Sequence, residues 1–214
     1  MSSNRMDSQT LRRAIRKLRE VGFAYSAALA LRRIVPAWLL SVSDLVVLRL
    51  PTDRATAAES AAGRWARAGD VAALMAFGHA RSELDRRLAR GDRAWALVES
   101  GQLLGYCWFT QHDYHDAGSG VVFPRAANEV WLYDAMVDRD LRGRGLYPRI
   151  LSGAAHQLGD EGVRSIWIIV DSLNRNSIRA HEAAGASVRY RVRVWTVLGR
   201  RWENRAPSTG SEAP

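Results

Sequence analysis

The stretch that decides the fold is Glu129-Val-Trp-Leu-Tyr-Asp-Ala-Met-Val-Asp-Arg-Asp-Leu-Arg-Gly-Arg-Gly-Leu-Tyr-Pro-Arg-Ile-Leu151. It predicts a strand, a tight turn rich in glycine and arginine, and the beginning of a helix. Glycine lacks a Cβ, so it allows the backbone to turn sharply and its amides to approach a ligand closely. The following helix offers free N–H groups and the positive end of its dipole at the same point. This combination suits a phosphate or pyrophosphate group.

The elements around this stretch predict a mixed α/β domain with a central sheet. In chain order the pattern indicates a strand, two helices, three strands, a helix, a strand, a helix and a strand. The predicted ranges are 44–50, 70–77, 79–89, 94–99, 103–110, 129–137, 146–158, 165–170, 174–184 and 188–196. The region 111–127 is expected to be a longer loop.

Composition and charge limit the function classes. The 214 residues suffice for one domain with a real core, and their apolar and charged fractions are those of ordinary globular proteins. The net charge of +9 is uneven, because residues 1–40 hold +6 and the rest of the chain only +3. A general nucleic-acid surface is therefore not indicated. No segment is long enough to span a bilayer, and we expect a cytoplasmic protein.

The two ends of the chain are expected to lie outside the main domain, which should occupy residues 44–203. Residues 1–40 predict a basic amphipathic helical extension, because the apolar residues of the segment 11–25 share one face and arginines cover the other. This helix either packs on the domain or contacts an anionic membrane surface, here the inner membrane face, or a partner. Residues 204–214 predict a disordered polar tail.

Several isolated polar residues have ordinary structural interpretations. Cys107, the sole cysteine, lies in an apolar run and is expected to be a buried strand thiol. The segment His112-Asp-Tyr-His-Asp116 has metal-binding side chains, but their spacing matches no specific metal motif. We therefore expect a polar loop or substrate flap there, and no metal. Glu83 and Asp85 are expected on a solvated helix face.

The central stretch resembles the phosphate turn of the GNAT superfamily of N-acyltransferases. That turn has the form Arg/Gln-x-x-Gly-x-Gly/Ala and follows a strand. Arg142, Gly145 and Tyr147 occupy the signature positions, with Gly143 and Arg144 between them. Tyr147 replaces a small residue, so its ring must point away from the pyrophosphate or help to form a wall of the pocket.

A second motif downstream strengthens the resemblance. The family often carries Asn-x-x-Ala/Ser-x-x-x-Tyr-x-x-x-Gly-Phe, and Asn174, Ser177 and Gly185 fit this form. The family's tyrosine is often a general acid toward the leaving thiolate, and this chain has His181 in its place. The resemblance covers roughly residues 44–198.

The resemblance implies a GNAT-type fold, in which a mixed, mostly antiparallel sheet is flanked by helices. It also implies acetyl-CoA, or another acyl-CoA, as co-substrate. Backbone amides of the turn would hold the pyrophosphate, the strand end would offer backbone groups to the pantetheine arm, and an asparagine would help to position that arm. The implied cofactor-binding residues are Met136, Val137, Arg142, Gly143, Arg144, Gly145, Leu146, Tyr147 and Asn174.

Acyl transfer to an amine needs a base for the amine, stabilisation of the thioester oxygen and, in some cases, a proton for the thiolate. Glu129 is the first candidate base, acting through water. Period-two alternation places it on the face of Trp131 and Tyr133, whereas Asp134 falls on the opposite face unless a bulge intervenes. His181 is the candidate acid, because an imidazole titrates near neutral pH.

The leading hypothesis is a GNAT-type acyltransferase that acetylates a primary amine, with a small molecule as the acceptor. The alternative is a non-catalytic acyl-CoA-binding or interaction module with the same fold. A homodimer is compatible with either hypothesis. The identity of the acceptor and the length of the acyl chain stay open at this stage.

Overall fold

The computed structural model describes residues 39–54 and 63–207. The predicted basic helix over residues 11–25 lies outside these ranges. The strands and helices are β1 Leu40–Pro51, β2 Gly63–Trp65, α1 Val71–Ala76, α2 Arg81–Ala89, β3 Arg93–Glu99, β4 Gln102–Thr110, β5 Tyr114–Asp116, β6 Val121–Phe123, β7 Glu129–Val137, α3 Leu146–Asp160, β8 Ser165–Asp171, α4 Arg175–Ala183, β9 Ser187–Val197 and β10 Arg200–Pro207. Within the described ranges, no helix has both the length and the apolar character needed to cross a bilayer.

The described strands form one large mixed sheet and one small sheet. The large sheet has eight strands in the order β10-β9-β1-β8-β7-β4-β3-β2, and β5 pairs with β6 in the small one. Strands β7 and β8 are parallel, and the other neighbouring strands are antiparallel. The predicted mixed, mostly antiparallel sheet flanked by helices is therefore confirmed.

Helices cover the two faces of the large sheet. Helix α3 buries Ile150 and Leu158 against one face. Helices α1 and α2 bury Leu74 and Leu84 against the other face. At Gly105 in β4, helix α3 lies so close that an added Cβ would be 2.7 Å from Ile150 Cδ1. The position of α3, whose first turn belongs to the site, therefore depends on this glycine.

Strand β7 carries one extra residue in its pairing with β4. Trp108 lies opposite Asp134, whereas Phe109 lies opposite Leu132, so Tyr133 is a bulged residue. A bulge interrupts the alternation of side chains between the two faces of a sheet. As a result, Asp134 shares the face of Tyr133 instead of lying opposite it.

The bulge coincides with the point where β7 leaves its parallel neighbour. Strand β7 pairs with β8 from Glu129, opposite Ser165, to Leu132, opposite Ile168. It then continues without this neighbour to Val137. The last part of β7 therefore has β4 on one side and an opening on the other. The candidate site lies in this opening.

Two regions of the fold differ from the predictions, in addition to the short strand β2, which was not predicted. The predicted loop 111–127 contains β5 and β6, because Val121 and Phe123 are buried in a cluster with Trp131. The predicted tail is wrong for Asn204–Pro207, which belongs to β10 and pairs with β9. All residues of β10 are exposed, so the composition of this edge strand resembles that of a tail. Residues 208–214 lie outside the described ranges.

Candidate active site

A cavity of about 520 Å³ lies at the end of β7, between the glycine turn, the first turn of α3 and one face of α4. All of the cofactor-binding residues predicted from the sequence line this cavity except Arg144, and His181 also lines it. The predicted residues in its wall are Met136, Val137, Arg142, Gly143, Gly145, Leu146, Tyr147 and Asn174.

The glycine turn has a backbone conformation that few other residues adopt. Gly143 and Gly145 have φ angles of 79° and 72°, in the left-handed region. Gly145 is also the N-cap of α3 and provides no side-chain hydrogen bond to the helix. The first N–H groups of α3 therefore receive no cap from it.

The same two glycines leave space for a ligand. A Cβ added at Gly143 or Gly145 would have no protein atom within 4 Å, and both residues line the cavity. Arg142 and Arg144 are exposed beside the turn and add positive charge. Open space, helix N–H groups and arginines together fit a pyrophosphate.

Tyr147 and His181 form a polar contact in the wall of the cavity. Tyr147 Oη lies 2.6 Å from His181 Nε2, and His181 Nδ1 lies 2.6 Å from the carbonyl oxygen of Ser177. A carbonyl oxygen only accepts, so the imidazole proton is on Nδ1 and Nε2 accepts from the Tyr147 hydroxyl. The Tyr147 ring thus helps to form the pocket wall, which was one of the two orientations expected from the sequence.

The protonation of this pair follows from burial. His181 is 5% exposed, and burial lowers its pKa to about 4, although the Nδ1–H bond to Ser177 acts in the opposite direction. Burial raises the pKa of Tyr147 well above its ordinary value. At neutral pH the imidazole is therefore neutral, and its one N–H, on Nδ1, donates to the carbonyl oxygen of Ser177. Tyr147 keeps its hydroxyl proton. Because Nε2 carries no proton, this geometry gives no support to His181 as the acid.

The burial of His181 also makes the stability of the fold depend on pH. Its native pKa of about 4 lies below the ordinary value of 6.5, so between these values the unfolded chain binds a proton that the native chain does not. Stability therefore falls as the pH drops through this window, by up to about 3 kcal/mol. We expect His181→Phe to lose this part of the pH dependence in urea unfolding measured at about pH 7.5 and about pH 4.5.

The control for this prediction is His115→Gln, because His115 is exposed on β5. It should keep the pH dependence of the wild type. Equal changes in unfolding free energy for His181→Phe and the wild type would contradict the assignment of a buried, neutral His181.

Asn174 contributes to the site mainly through α4. Its side-chain oxygen accepts a hydrogen bond from the N–H of Ser177 at 3.3 Å, so it caps this helix. The side-chain amide group keeps two donors, and Asn174 lines the cavity. Its residue type at this position is therefore explained by its capping of α4.

Glu129 lies at the opposite end of β7 from the cavity. It pairs with Ser165, and Met136 follows it by seven residues, which is about 23 Å along a strand. The structure does not bring Glu129 to the other predicted site residues and gives no support to its role as a base.

A polar cluster on the other face of β7 was not predicted. Asp134 Oδ2 accepts a hydrogen bond from Arg87 at 2.7 Å, and Arg87 also binds Glu83. The Glu83 side chain is 35% exposed and has ion-pair partners that the sequence analysis did not include, whereas Asp85 is about half exposed and pairs with Arg81. The spacing of His79, Glu83 and Arg87 by four residues was the available signal, because it places all three on one side of the predicted helix 79–89.

Two other expectations concern Cys107 and the His112–Asp116 segment. Cys107 is fully buried, as expected, and burial raises the pKa of its thiol. His112 Nε2 lies 2.9 Å from the carbonyl oxygen of Arg90, and Asp116 accepts from Ser119. Over residues 39–54 and 63–207, no group of three metal-binding side chains is close enough to hold an ion.

Comparison with known proteins gives a family match and several structural neighbours. The chain matches the model of the Acetyltransferase (GNAT) family over residues 64–186, which include the glycine turn and α4. A search of curated proteins found no match.

Three solved structures illustrate the similarity of fold. A GNAT-family acetyltransferase from Novosphingobium aromaticivorans has a TM-score of 0.51 and 16% identity, over 79% of this chain and 66% of that one. A GCN5-related N-acetyltransferase from Sphaerobacter thermophilus has a TM-score of 0.52 and 21% identity, over 81% and 56%. A GNAT-family acetyltransferase from Colwellia psychrerythraea has a TM-score of 0.53 and 16% identity, over 77% and 56%.

The chain thus spans between 56% and 66% of the length of these three proteins. The structural similarity to these proteins establishes a common fold. At such low sequence identities it leaves the acceptor open. The family model, in contrast, matches more than half of the 214 residues. On that match, the chain belongs to the GNAT family of acetyltransferases.

Proposed function

We propose that this protein is an acyl-CoA-dependent N-acyltransferase that transfers an acetyl group to a primary amine. Acetyl-CoA is the acyl donor of the GNAT family. The observation that carries the proposal is the cavity lined by left-handed glycines, a helix N-terminus without a side-chain cap, and the Tyr147–His181 pair.

The residues of the cavity would hold acetyl-CoA in two parts. The N–H groups of the glycine turn and of the first turn of α3 would bind the pyrophosphate, assisted by the charges of Arg142 and Arg144. Backbone groups of Met136 and Val137 would bind the pantetheine arm, because β7 continues there beyond its pairing with β8. The amide group of Asn174 would contact the same arm from α4.

Bound acetyl-CoA supplies an acetyl group that is activated as a thioester. We assign to Tyr147 the protonation of the leaving thiolate, since this residue lines the cavity and keeps its hydroxyl proton at neutral pH. His181 is neutral and fixed through Nδ1, and its Nε2 accepts from the hydroxyl of Tyr147. The hydroxyl would have to rotate away from Nε2 to donate its proton to the thiolate. The tyrosine that the family motif carries on the helix equivalent to α4 is thus replaced by a tyrosine on α3 with a histidine partner.

The alternative function is a non-catalytic acyl-CoA-binding module. Such a module would need the glycine turn, but it would not need an oriented hydroxyl in the cavity wall. The contact between Tyr147 and His181 therefore favours an enzyme.

Release of free thiol from acetyl-CoA tests the proposal. The assay uses tyramine, spermidine, glucosamine and an alanyl peptide as acceptors, and mass spectrometry identifies any acetylated amine. We expect thiol release that requires both the protein and an amine. Tight CoA binding in calorimetry without release from any amine would support the non-catalytic module. Absence of CoA binding would overturn the assignment of the cavity.

A further inference from the structure

The edge of the large sheet formed by β9 and β10 carries exposed apolar side chains. Val42, Trp195 and Trp202 lie opposite one another on β1, β9 and β10, so they share one face of the sheet. Val197 follows Trp195 by two residues and projects from the same face. The exposed fractions of Val42, Val197 and Trp202 are between 41% and 51%. This part of the sheet therefore presents apolar surface to the solvent.

Two leucines extend this surface to the tip of the hairpin that joins β9 to β10. Leu198 and Gly199 form the connection, and the N–H of Leu198 donates to the carbonyl oxygen of Leu39 at 3.0 Å. Leu198 is 68% exposed and Leu39 is 39% exposed. We call the whole set the hairpin patch, which consists of Leu39, Val42, Trp195, Val197, Leu198 and Trp202.

The backbone of the hairpin tip does not favour a leucine. Leu198 and Gly199 have φ angles of 50° and 76°, and a type I′ turn requires such positive values at both central positions. This turn favours asparagine at the first position, whereas a leucine adopts the left-handed conformation only at an energetic cost. The fold gains little packing in return, because most of the Leu198 side chain faces the solvent. A residue type that opposes the local structure in this way indicates an interaction outside the fold.

Positive charge is concentrated around the same hairpin. Residues 187–207 contain six arginines and one glutamate, a net charge of +5. Residues 1–40 hold +6 of the total of +9, so all other residues together carry −2. Arg200 is exposed on the face of Trp202, and the guanidinium carbon of Arg193 lies 5.9 Å from the ring centre of Trp195. The basic segment of residues 1–38 joins the chain at Leu39, which belongs to the patch.

The combination of apolar side chains and positive charge fits an anionic lipid bilayer. Leucine and tryptophan side chains enter the boundary between headgroups and acyl chains, and arginines bind the lipid phosphates. A symmetric dimer through the patch would instead place the arginines of one copy against the same arginines of the other. Nucleic acid would match the charge, but it offers no apolar phase for exposed leucines.

We propose that the hairpin patch docks this protein on an anionic phospholipid bilayer. Leu198 and Trp202 enter the boundary of the acyl chains, and the arginines of β9 and β10 contact the lipid phosphates. This inference goes beyond the proposed function and does not depend on it.

Co-sedimentation of the full chain with lipid vesicles provides the first test. We expect binding to vesicles of equimolar phosphatidylcholine and phosphatidylglycerol, and much weaker binding to phosphatidylcholine alone. Leu198→Asn should lower the partition coefficient by about tenfold, because an apolar side chain no longer enters the bilayer. The same variant should have a higher melting temperature than the wild type, because asparagine suits the turn. Leu88→Asn is the control, since it removes a leucine that is 44% exposed on α2, outside the patch.

Reversal of one charge provides the second test. Arg200→Glu should lower the partition coefficient for the mixed vesicles by about tenfold at low salt, and the difference should shrink at high salt. Arg86→Glu makes the same charge change at an exposed position of α2 and should bind nearly as well as the wild type. If Leu198→Asn proves less stable than the wild type, Arg200→Glu decides the question, because its exposed side chain can be changed without disturbing the fold.

Tryptophan quenching by phosphatidylglycerol with brominated acyl chains locates the bound surface. Bound wild-type protein should be quenched, and Trp202→Phe should lose part of this quenching, because Trp202 is half exposed within the patch. Unchanged quenching in Trp202→Phe, together with wild-type binding by Leu198→Asn and Arg200→Glu, would overturn the role of the hairpin and assign membrane contact to another part of the chain.

Two further outcomes would overturn the proposal. One is a wild-type protein that does not bind the mixed vesicles. The other is a dimer in analytical ultracentrifugation that Leu198→Asn dissociates, without any vesicle binding, which would assign the patch to a second copy of the chain. None of these results depends on acyl transfer, so they leave the proposed function to its own assay.

Discussion

Gly145→Asp is expected to abolish CoA binding while the fold is retained. In calorimetry, the affinity for CoA should fall by at least about 100-fold. The new carboxylate would project into the open space beside the N-terminus of α3, where no protein atom lies within 4 Å of the added Cβ. It would therefore occupy the place of the pyrophosphate and repel its negative charge. Aspartate tolerates the left-handed conformation better than most residues, so the cost in stability should be moderate.

Gly162→Asp is the matched control for this experiment. Gly162 has a φ angle of 84°, an added Cβ there also meets no atom within 4 Å, and the residue lies just beyond the C-terminal end of α3. This variant should show a similar loss of thermal stability but keep the wild-type affinity for CoA. Tight CoA binding by Gly145→Asp would show that the glycine turn is not the phosphate site.

Tyr147→Phe is expected to lower kcat by about 100-fold while leaving CoA affinity close to that of the wild type. The substitution removes only the hydroxyl, and the phenylalanine ring can keep the packing of Tyr147 against the core. The loss should therefore appear in turnover, measured by thiol release under saturating acetyl-CoA. Tyr114→Phe serves as the control, because this tyrosine stacks on Tyr133 and is not among the residues that line the donor cavity.

His181→Phe distinguishes the two candidate acids. If Tyr147 is the acid, loss of its imidazole partner should reduce kcat less than Tyr147→Phe does. A larger loss for His181→Phe, together with wild-type turnover by Tyr147→Phe, would restore His181 as the proton donor and contradict the protonation states described above.

The residues that line the cavity could be predicted from the sequence because their arrangement depends on local features. Gly143 and Gly145 adopt conformations that follow from their residue type, and Asn174 caps the helix that it precedes in the chain. These features involve neighbours within a few residues. For this reason the cavity contains eight of the nine predicted cofactor residues.

The polar cluster around Asp134 could not be predicted in the same way because it depends on pairing between distant strands. The face on which Asp134 lies is set by the bulge at Tyr133, which exists only in the register with β4. Strict alternation of side chains predicted the wrong face for Asp134. It therefore favoured Glu129 as the candidate base, although Glu129 lies at the far end of the strand. The contact of Tyr147 with His181 likewise joins two helices that are separated by β8 in the chain.

The extra residue in β7 has a consequence for which changes this strand can accept. Beyond Tyr133, Ala135 and Val137 face the α3 side, whereas Asp134 and Met136 face the α1–α2 side. Substitutions at alternate positions therefore alter one face of the sheet and leave the other unchanged. Loss of the unpaired residue would remove the bulge and restore regular alternation along the strand, so Asp134 would keep its face.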